Sequence, residues 1–209
     1  MRVLVTRPRA QSRQLVERLE ALGADVVECP LIEIEPLSDE PVDASGYDWV
    51  IVTSPNGAAE LARRGVNLPR VAAVGPGTAE ELRGHGIEPS FVARVSSQEG
   101  LLRELPRPAG RVLFAAAEGA SRRPVDELGA DFVPLYRTRQ LDANPPAADL
   151  VVLASASAAR AYAAAGGRAP AVTIGPRTSE AARERGLDVV AEAATHDLDG
   201  LVAAVGSVL

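Results

Sequence analysis

The chain has 209 residues, enough for one large domain or two small ones that each bury a hydrophobic core. Hydrophobic residues make up 46% of it and charged residues 24%, which is typical of a globular protein, and the net charge of −6 argues against a nucleic-acid partner. The single cysteine excludes an internal disulfide and a cysteine-based metal cluster, and the absence of lysine excludes Schiff-base chemistry and a P-loop lysine.

The sequence gives no sign of membrane insertion. No apolar run approaches the ~20 residues needed to span a bilayer as a helix. Residues 1–5 lack the apolar core of a signal peptide. We therefore expect a cytoplasmic protein with no membrane partner.

The first part of the chain alternates strand-like and helix-like patterns. Residues 2–6 form a buried type of strand, and residues 10–22 carry apolar side chains at the spacing of one helix face. Gly23 then suits the C′ position of that helix. Pro30 lies within the next apolar run, 25–34, so we expect that strand to bend or to lie at an edge.

Two strand-to-helix turns follow. The segment SPNG (54–57) separates an apolar strand from a short helix. The segment GPGT (75–78) does the same, with Thr78 as the expected N-cap of its helix. The strands of this part are predicted at 48–53, 71–74 and 91–93, and the helices at 58–64 and 98–105.

The second half of the chain repeats the first. The segment GPRT (175–178) matches GPGT, and SASA (155–158) stands where SPNG stood. The strand RVLFA at 111–115 likewise echoes RVLVT at 2–6. An internal duplication of strand-helix units predicts parallel sheets covered by helices in both halves. The pattern by itself suggests two consecutive halves.

Several stretches, in their order along the chain, resemble the uroporphyrinogen-III synthase family. They are RVLVTRP, LGADVVECPLIEI, VIVTSPNGA, VAAVGPGTAEEL, PLYRT and TIGPRTSEA. Each motif alone is common, but their order and the doubling are specific. The resemblance implies an α/β fold with two similar Rossmann-like or flavodoxin-like lobes, parallel sheets and a two-stranded antiparallel linker between the lobes.

The resemblance also implies that the chain crosses over between the lobes. Residues 1–34 then fold with 143–209 as one domain, and 38–138 form the other. The linkers are expected at about 35–37 and 139–142. Strands at 32–36 and 135–140 would lie at the two crossings.

Members of this family cyclise and dehydrate hydroxymethylbilane, a linear tetrapyrrole, to uroporphyrinogen III with inversion of ring D through a spiro intermediate. The resemblance implies that no metal, nucleotide or flavin cofactor takes part. The protein's task would be to hold a flexible chain in the productive conformation, to help water leave and to prevent direct closure to isomer I. We expect a monomer whose substrate is handed over by hydroxymethylbilane synthase.

The expected substrate carries many acetate and propionate groups, whereas the chain is acidic and has no lysine. Such a ligand needs local donors, which the free N–H groups at helix N-termini, hydroxyls and a few arginines can supply. In parallel α/β sheets the turns after the strands line the ligand crevice, and two facing lobes would direct them at one cleft. The predicted substrate-binding residues are Thr6, Arg7, Ser54, Pro55, Asn56, Gly75, Gly77, Thr78, Ser155, Ser157, Gly175, Arg177 and Thr178.

Tyr136 is the predicted catalytic residue. It occupies the tyrosine position of the PLYRT segment, which faces the cleft according to the resemblance. A phenol can hydrogen-bond a departing hydroxyl and lend it a proton, although an ordinary pKa of about 10 makes it a weak acid. The alternative is that Tyr136 packs at the hinge.

Other functions find less support in the residues. Glu80 stands where the third glycine of a dinucleotide fingerprint belongs, which also disfavours a nucleotide-dependent transferase. His85 and His196 have no second ligand spaced nearby, so no metal site is predicted. The serines of SASA lack the G-x-S-x-G context of a hydrolase. A non-catalytic two-lobed binding or sensor module, which needs no Tyr136, remains the alternative function.

Overall fold

The computed structural model describes residues 1–209, with Ala10 described by its backbone alone. The chain divides into two compact units: residues 1–33 with 138–209, called unit 1 here, and residues 34–137, called unit 2. Each unit is an α/β structure built on a mainly parallel sheet. The predicted fold class is therefore confirmed.

The elements follow each other in a regular alternation. The strands are β1 (Arg2–Val5), β2 (Asp25–Glu28), β3 (Ile32–Pro36), β4 (Val42–Asp43), β5 (Trp49–Val52), β6 (Gly65–Val66), β7 (Arg70–Ala73), β8 (Phe91–Val92), β9 (Val112–Ala117), β10 (Asp131–Gln140), β11 (Leu150–Leu153), β12 (Ala171–Thr173) and β13 (Val189–Glu192). The helices are α1 (Arg9–Ala21), α2 (Pro55–Arg64), α3 (Pro76–Gly84), α4 (Gln98–Glu104), α5 (Arg123–Leu128), α6 (Ala156–Ala164), α7 (Pro176–Arg183) and α8 (Leu198–Gly206).

Unit 1 contains a five-stranded sheet in the order β13-β12-β11-β1-β2, in which every neighbouring pair is parallel. One face buries Leu4 and Val151 with side chains of α6 and α7. The other face buries Val5 with Leu15 of α1 and Leu201 of α8. Because both faces are covered, the central strands of this sheet are largely apolar rather than alternating.

Unit 2 has a six-stranded sheet in the order β3-β10-β9-β5-β7-β8, with β4 and β6 as a separate parallel pair. From β10 to β8 all pairs are parallel. Leu61 of α2 and Leu82 of α3 pack on one face, and Leu101 of α4 packs with Phe114 on the other. Unit 2 is thus doubly wound like unit 1.

The strands β3 and β10 carry the chain between the two units. The Leu37 amide donates to the Leu135 carbonyl at 3.1 Å and the Leu141 amide donates to that of Leu31 at 2.9 Å, so the two strands run antiparallel. The boundary between the units falls within both strands. The strand β10 begins at Asp131 and not at the predicted residue 135, because its first half pairs in parallel with β9.

The prediction that Thr78 caps a helix is wrong, and the matching Thr178 does not cap its helix either. Gly75 and Gly175 occupy the N-cap positions, and a proline follows each as the first helical residue. Proline is pre-organised for that position because its φ is fixed and its missing N–H would have no helical partner. Both threonines therefore lie in the first turn of their helices.

Two other predicted boundaries also shift at prolines. The strand expected at 25–34 is divided into β2 and β3, and β2 lies at the sheet edge. The break falls around Pro30, which has no N–H to donate to a ladder. The helix expected at 58–64 begins at Pro55, with Ser54 as its N-cap.

Across the described residues, no helix is both long and apolar enough to cross a membrane.

Candidate active site

The predicted site residues of unit 2 follow strands that end at one edge of its sheet. The strand β5 ends at Val52, immediately before SPNG, and β7 ends at Ala73, before GPGT. Tyr136 of β10 stands beside Ala117, the last residue of the parallel strand β9. Since the carboxyl ends of parallel strands share an edge, Tyr136 and both turns belong to the same end of unit 2.

Ser54 joins the first of these turns to Tyr136. Its backbone is extended, and its Oγ accepts the Gly57 amide at 2.9 Å, which caps α2. The same oxygen lies 2.8 Å from the phenolic oxygen of Tyr136. The two residues are 82 positions apart in the chain, so this contact depends on the pairing of β5, β9 and β10.

The Tyr136 side chain is almost enclosed, since only 5% of the residue is exposed. Burial raises the pKa of its phenol above the ordinary value, and hydrogen bonds with Ser54 and Asn56 act in the opposite direction. The phenol is therefore neutral at physiological pH and holds a proton that it can donate. Of the residues predicted in unit 2, the fold brings Ser54 and Asn56 into contact with Tyr136.

The GPGT segment forms the start of α3. Gly75 is the N-cap, and the first amides of the helix point away from it without intrahelical acceptors. Thr78 is only 3% exposed, yet its hydroxyl has no hydrogen-bond partner among the described residues. An unpartnered hydroxyl beside free amides is a donor set suited to a carboxylate.

The start of α7 in unit 1 repeats this arrangement. Gly175 is the N-cap, and Thr178 is 4% exposed, again with no partner for its hydroxyl in the described part of the chain. Arg177, between them, is exposed. The Thr178 amide donates to the Gly175 carbonyl at 3.0 Å, so the GPRT segment offers the amide of Arg177 together with its charged side chain.

The other predicted residues of unit 1 have partners within the unit. The Thr6 hydroxyl is fully buried and donates to the Val152 carbonyl at 3.2 Å. Ser155 caps α6 by accepting the Ala158 amide at 3.1 Å, and its Oγ lies 3.0 Å from that of Ser157. Arg7 is half-buried and engaged in an interaction. Ser155 thus matches Ser54 as a cap, and it contacts a serine where Ser54 contacts a tyrosine.

Sequence reasoning missed two side chains that pack on the N-cap glycines. A Cβ on Gly75 would lie 2.4 Å from the Oγ of Ser96, and one on Gly175 would lie 2.8 Å from the ring of His196. A side chain at Gly75 would therefore displace Ser96, and one at Gly175 would displace the exposed ring of His196. The repeat could have identified these two residues as equivalent, because Ser96 and His196 lie at the same distance before the matching Gly100 and Gly200.

A buried polar network behind the GPRT segment was also missed. Ser179 donates to the carboxylate of Glu192, so its Oγ accepts the hydroxyl of Thr173 at 2.6 Å. Both hydroxyl-bearing residues are fully buried. No motif marks this network, since serine and threonine in a helix and a strand are ordinary residues. It fixes the first turn of α7 against β12 and β13.

Comparison with known proteins gives a consistent result. A sequence profile described as uroporphyrinogen-III synthase HemD matches residues 13–203. The chain is 28% identical to the uroporphyrinogen-III synthase of Synechococcus elongatus, with 97% of this chain and 93% of that protein covered. It is 30% identical to the porphyrin biosynthesis protein HemD of Ruminiclostridium josui, with 94% of this chain and 46% of that protein covered, so it spans about half the length of that relative.

Solved structures show the same fold. The uroporphyrinogen-III synthetase of Helicobacter pylori matches with a TM-score of 0.66 at 18% identity, covering 100% of both chains. A mutant uroporphyrinogen III synthase from Thermus thermophilus matches with a TM-score of 0.62 at 17% identity, covering 99% of this chain and 98% of that one. At such identities the likeness concerns the fold alone.

Proposed function

The chain belongs to the uroporphyrinogen-III synthase family, and we propose that it cyclises and dehydrates hydroxymethylbilane to uroporphyrinogen III with inversion of ring D. The observation that carries the proposal beyond family membership is the pair of threonines at two matching helix starts, Thr78 and Thr178, which are nearly buried and whose hydroxyls have no partner in the described structure. An acidic protein without lysine needs such neutral donors to hold a substrate rich in carboxylates.

In this proposal the helix starts of both units bind acetate and propionate groups. The SPNG and GPGT segments of unit 2 and the SASA and GPRT segments of unit 1 supply backbone amides. Arg7 and Arg177 add charge for carboxylates that approach them. Because amides provide most of the binding, loss of Arg177 alone should weaken binding by only ~1–3 kcal/mol.

Tyr136 acts in the dehydration step. Its phenol donates a hydrogen bond to the terminal hydroxyl of the substrate, and the pyrrole nitrogen supplies the electron pair that expels that hydroxyl as water. The resulting azafulvene is attacked by the substituted carbon of ring D, which gives the spiro intermediate. Fragmentation and reclosure at the unsubstituted carbon of ring D then reverse the ring and release a proton.

The oligomeric state, the cellular compartment and the source of the substrate are part of the proposed function. We expect a monomer in the cytoplasm that receives hydroxymethylbilane from hydroxymethylbilane synthase. Unassisted closure of the linear tetrapyrrole gives isomer I, so rapid transfer between the two enzymes would limit that loss. Sedimentation of the protein alone and with the synthase tests the oligomeric state and the transfer complex.

The proposed reaction is tested with freshly generated hydroxymethylbilane. After incubation the products are oxidised, and uroporphyrin isomers I and III are separated by chromatography. We expect isomer III to predominate with the native protein and isomer I with heat-denatured protein. Isomer I alone in both samples, with tight binding of tetrapyrrole, would instead identify a non-catalytic binding module.

A further inference from the structure

The hydroxyl of Ser54 serves two partners at once. It accepts the amide of Gly57 at 2.9 Å as the N-cap of α2, and it lies 2.8 Å from the phenolic oxygen of Tyr136. A serine hydroxyl has one proton to donate and two lone pairs. One lone pair is used by Gly57, so the proton of Ser54 is available for Tyr136.

Asn56 is the second polar neighbour of the Tyr136 oxygen, and its side chain hydrogen-bonds the phenol. Both neighbours belong to the SPNG segment, which begins α2. The cap fixes the position of the Ser54 oxygen and occupies one of its lone pairs, and the 2.8 Å contact with Tyr136 suits donation by either hydroxyl. If Ser54 and Asn56 both donate to the phenolic oxygen, the phenol's own proton is left to point at a third acceptor.

We propose that Ser54 is a positioning residue: it donates its proton to the Tyr136 oxygen and so directs the phenol's proton toward the departing hydroxyl. This inference rests on the proposed function. As the carbon–oxygen bond breaks, its electron pair stays on the leaving oxygen, which takes the phenol's proton and departs as water. The phenolate then accepts from Ser54 and Asn56, and the proton lost when ring D recloses restores the phenol.

The competing explanation is that Ser54 only caps the helix. Substitutions at this one position separate the two roles. Aspartate is as good an N-cap as serine, but an ionised carboxylate only accepts, so S54D forces the phenol of Tyr136 to donate to it. Alanine removes both functions, and threonine keeps both. S54D therefore keeps the cap and reverses the direction of the hydrogen bond.

We expect S54D to keep the wild-type unfolding midpoint and to lower kcat by ~10-fold or more, whereas S54T restores most of the turnover that S54A loses. In the double variant S54D/Y136F, kcat should be no lower than in Y136F alone, because the proton that Ser54 directs is already absent. Repulsion of the substrate by the new carboxylate would instead add to the effect of Y136F.

Ser97 provides a matched control for the loss of a cap. It caps α4 in the same unit by accepting the amide of Gly100 at 2.9 Å, and it does not contact Tyr136. We expect S97A to lower the unfolding midpoint by about 2–4 °C, as one lost cap does in a chain of this size, and to leave kcat unchanged. If S97A slowed turnover as much as S54A, the loss of turnover in S54A would be explained by lower stability alone, and the proposal would fail.

Ultraviolet titration of tyrosine tests the same hydrogen bond without substrate. The chain has three tyrosines, and subtraction of the Y136F titration isolates that of Tyr136. S54D should move this titration to higher pH, and an unchanged titration would overturn the inference. The measurement stays informative even if the native protein forms no isomer III, so failure of the proposed reaction and failure of this inference are distinguishable.

Discussion

At the residue scale, the proposed reaction depends on a phenol that is enclosed by protein and hydrogen-bonded by two side chains of one helix start. Burial raises the pKa of Tyr136, which keeps the phenol protonated, while Ser54 and Asn56 supply hydrogen bonds to its oxygen. The sequence alone marks Tyr136 only through a family resemblance. Its contact with Ser54 could not be predicted, because it arises from strand order rather than from spacing.

Replacement of Tyr136 by phenylalanine tests its part in dehydration. Y136F keeps the buried ring but removes the hydroxyl that bonds Ser54 and Asn56, so the free energy of unfolding should fall by about 1 kcal/mol and product affinity should change little. The missing hydrogen bond acts chiefly in the transition state, and we expect kcat to fall by about 10²-fold or less, since the pyrrole nitrogen already assists the step. Steady-state kinetics check this, and wild-type turnover in Y136F would reduce Tyr136 to a packing residue.

The pH dependence of turnover carries a second prediction for the same residue. A general acid must be protonated, and burial raises the pKa of Tyr136 above its ordinary value. The rate should therefore hold through neutral pH and fall only as pH rises beyond about 10, the ordinary pKa of a tyrosine. Y136F should lack that alkaline limb. If turnover fell at the same pH and to the same extent in both proteins, another group or unfolding would be the cause of the fall.

At the element scale, the repeated helix starts are the features most visible in the sequence. The doubled motif identifies both turns, but it places the helix boundary wrongly, because the proline before each threonine is already the first helical residue. The correction changes the role of Thr78 and Thr178. Their hydroxyls do not cap the helix, and in the described structure they have no other partner.

Substitution by valine separates binding from stability at these positions. Neither T78V nor T178V removes a hydrogen bond within the described structure, so each should change the free energy of unfolding by less than about 0.5 kcal/mol. If the hydroxyl donates to a carboxylate, product affinity should fall by about 1.5–3 kcal/mol. Denaturant unfolding and calorimetric titration with uroporphyrinogen III under anaerobic conditions measure the two effects.

Thr173 is the matched control for these variants. It is fully buried, and its hydroxyl donates to Ser179 at 2.6 Å. T173V should therefore lower the free energy of unfolding by about 1–3 kcal/mol, because it leaves a buried partner unsatisfied. Loss of stability in T78V or T178V equal to that in T173V, with unchanged product affinity, would contradict the carboxylate role.

At the scale of the whole molecule, local patterns predict the two doubly wound units but not their division along the chain. Alternating strands and helices predict the fold class, and burial of both sheet faces explains why the central strands are largely apolar. The repeat alone favours consecutive halves. In the structure unit 1 contains both ends of the chain, because β1 pairs with β11, an adjacency that no local pattern specifies.

The central claim is that this molecule forms isomer III and that Tyr136 assists loss of the hydroxyl. A single-turnover experiment with protein in excess over freshly generated hydroxymethylbilane tests it most directly. In this experiment spontaneous closure to isomer I competes with the enzymatic reaction, so the proportion of isomer I reports how fast the enzyme acts. We predict almost pure isomer III with the wild-type protein and a mixture richer in isomer I with Y136F, whose slower dehydration leaves more time for spontaneous closure. The same proportion of isomer I in wild type, Y136F and a sample without protein would contradict the account.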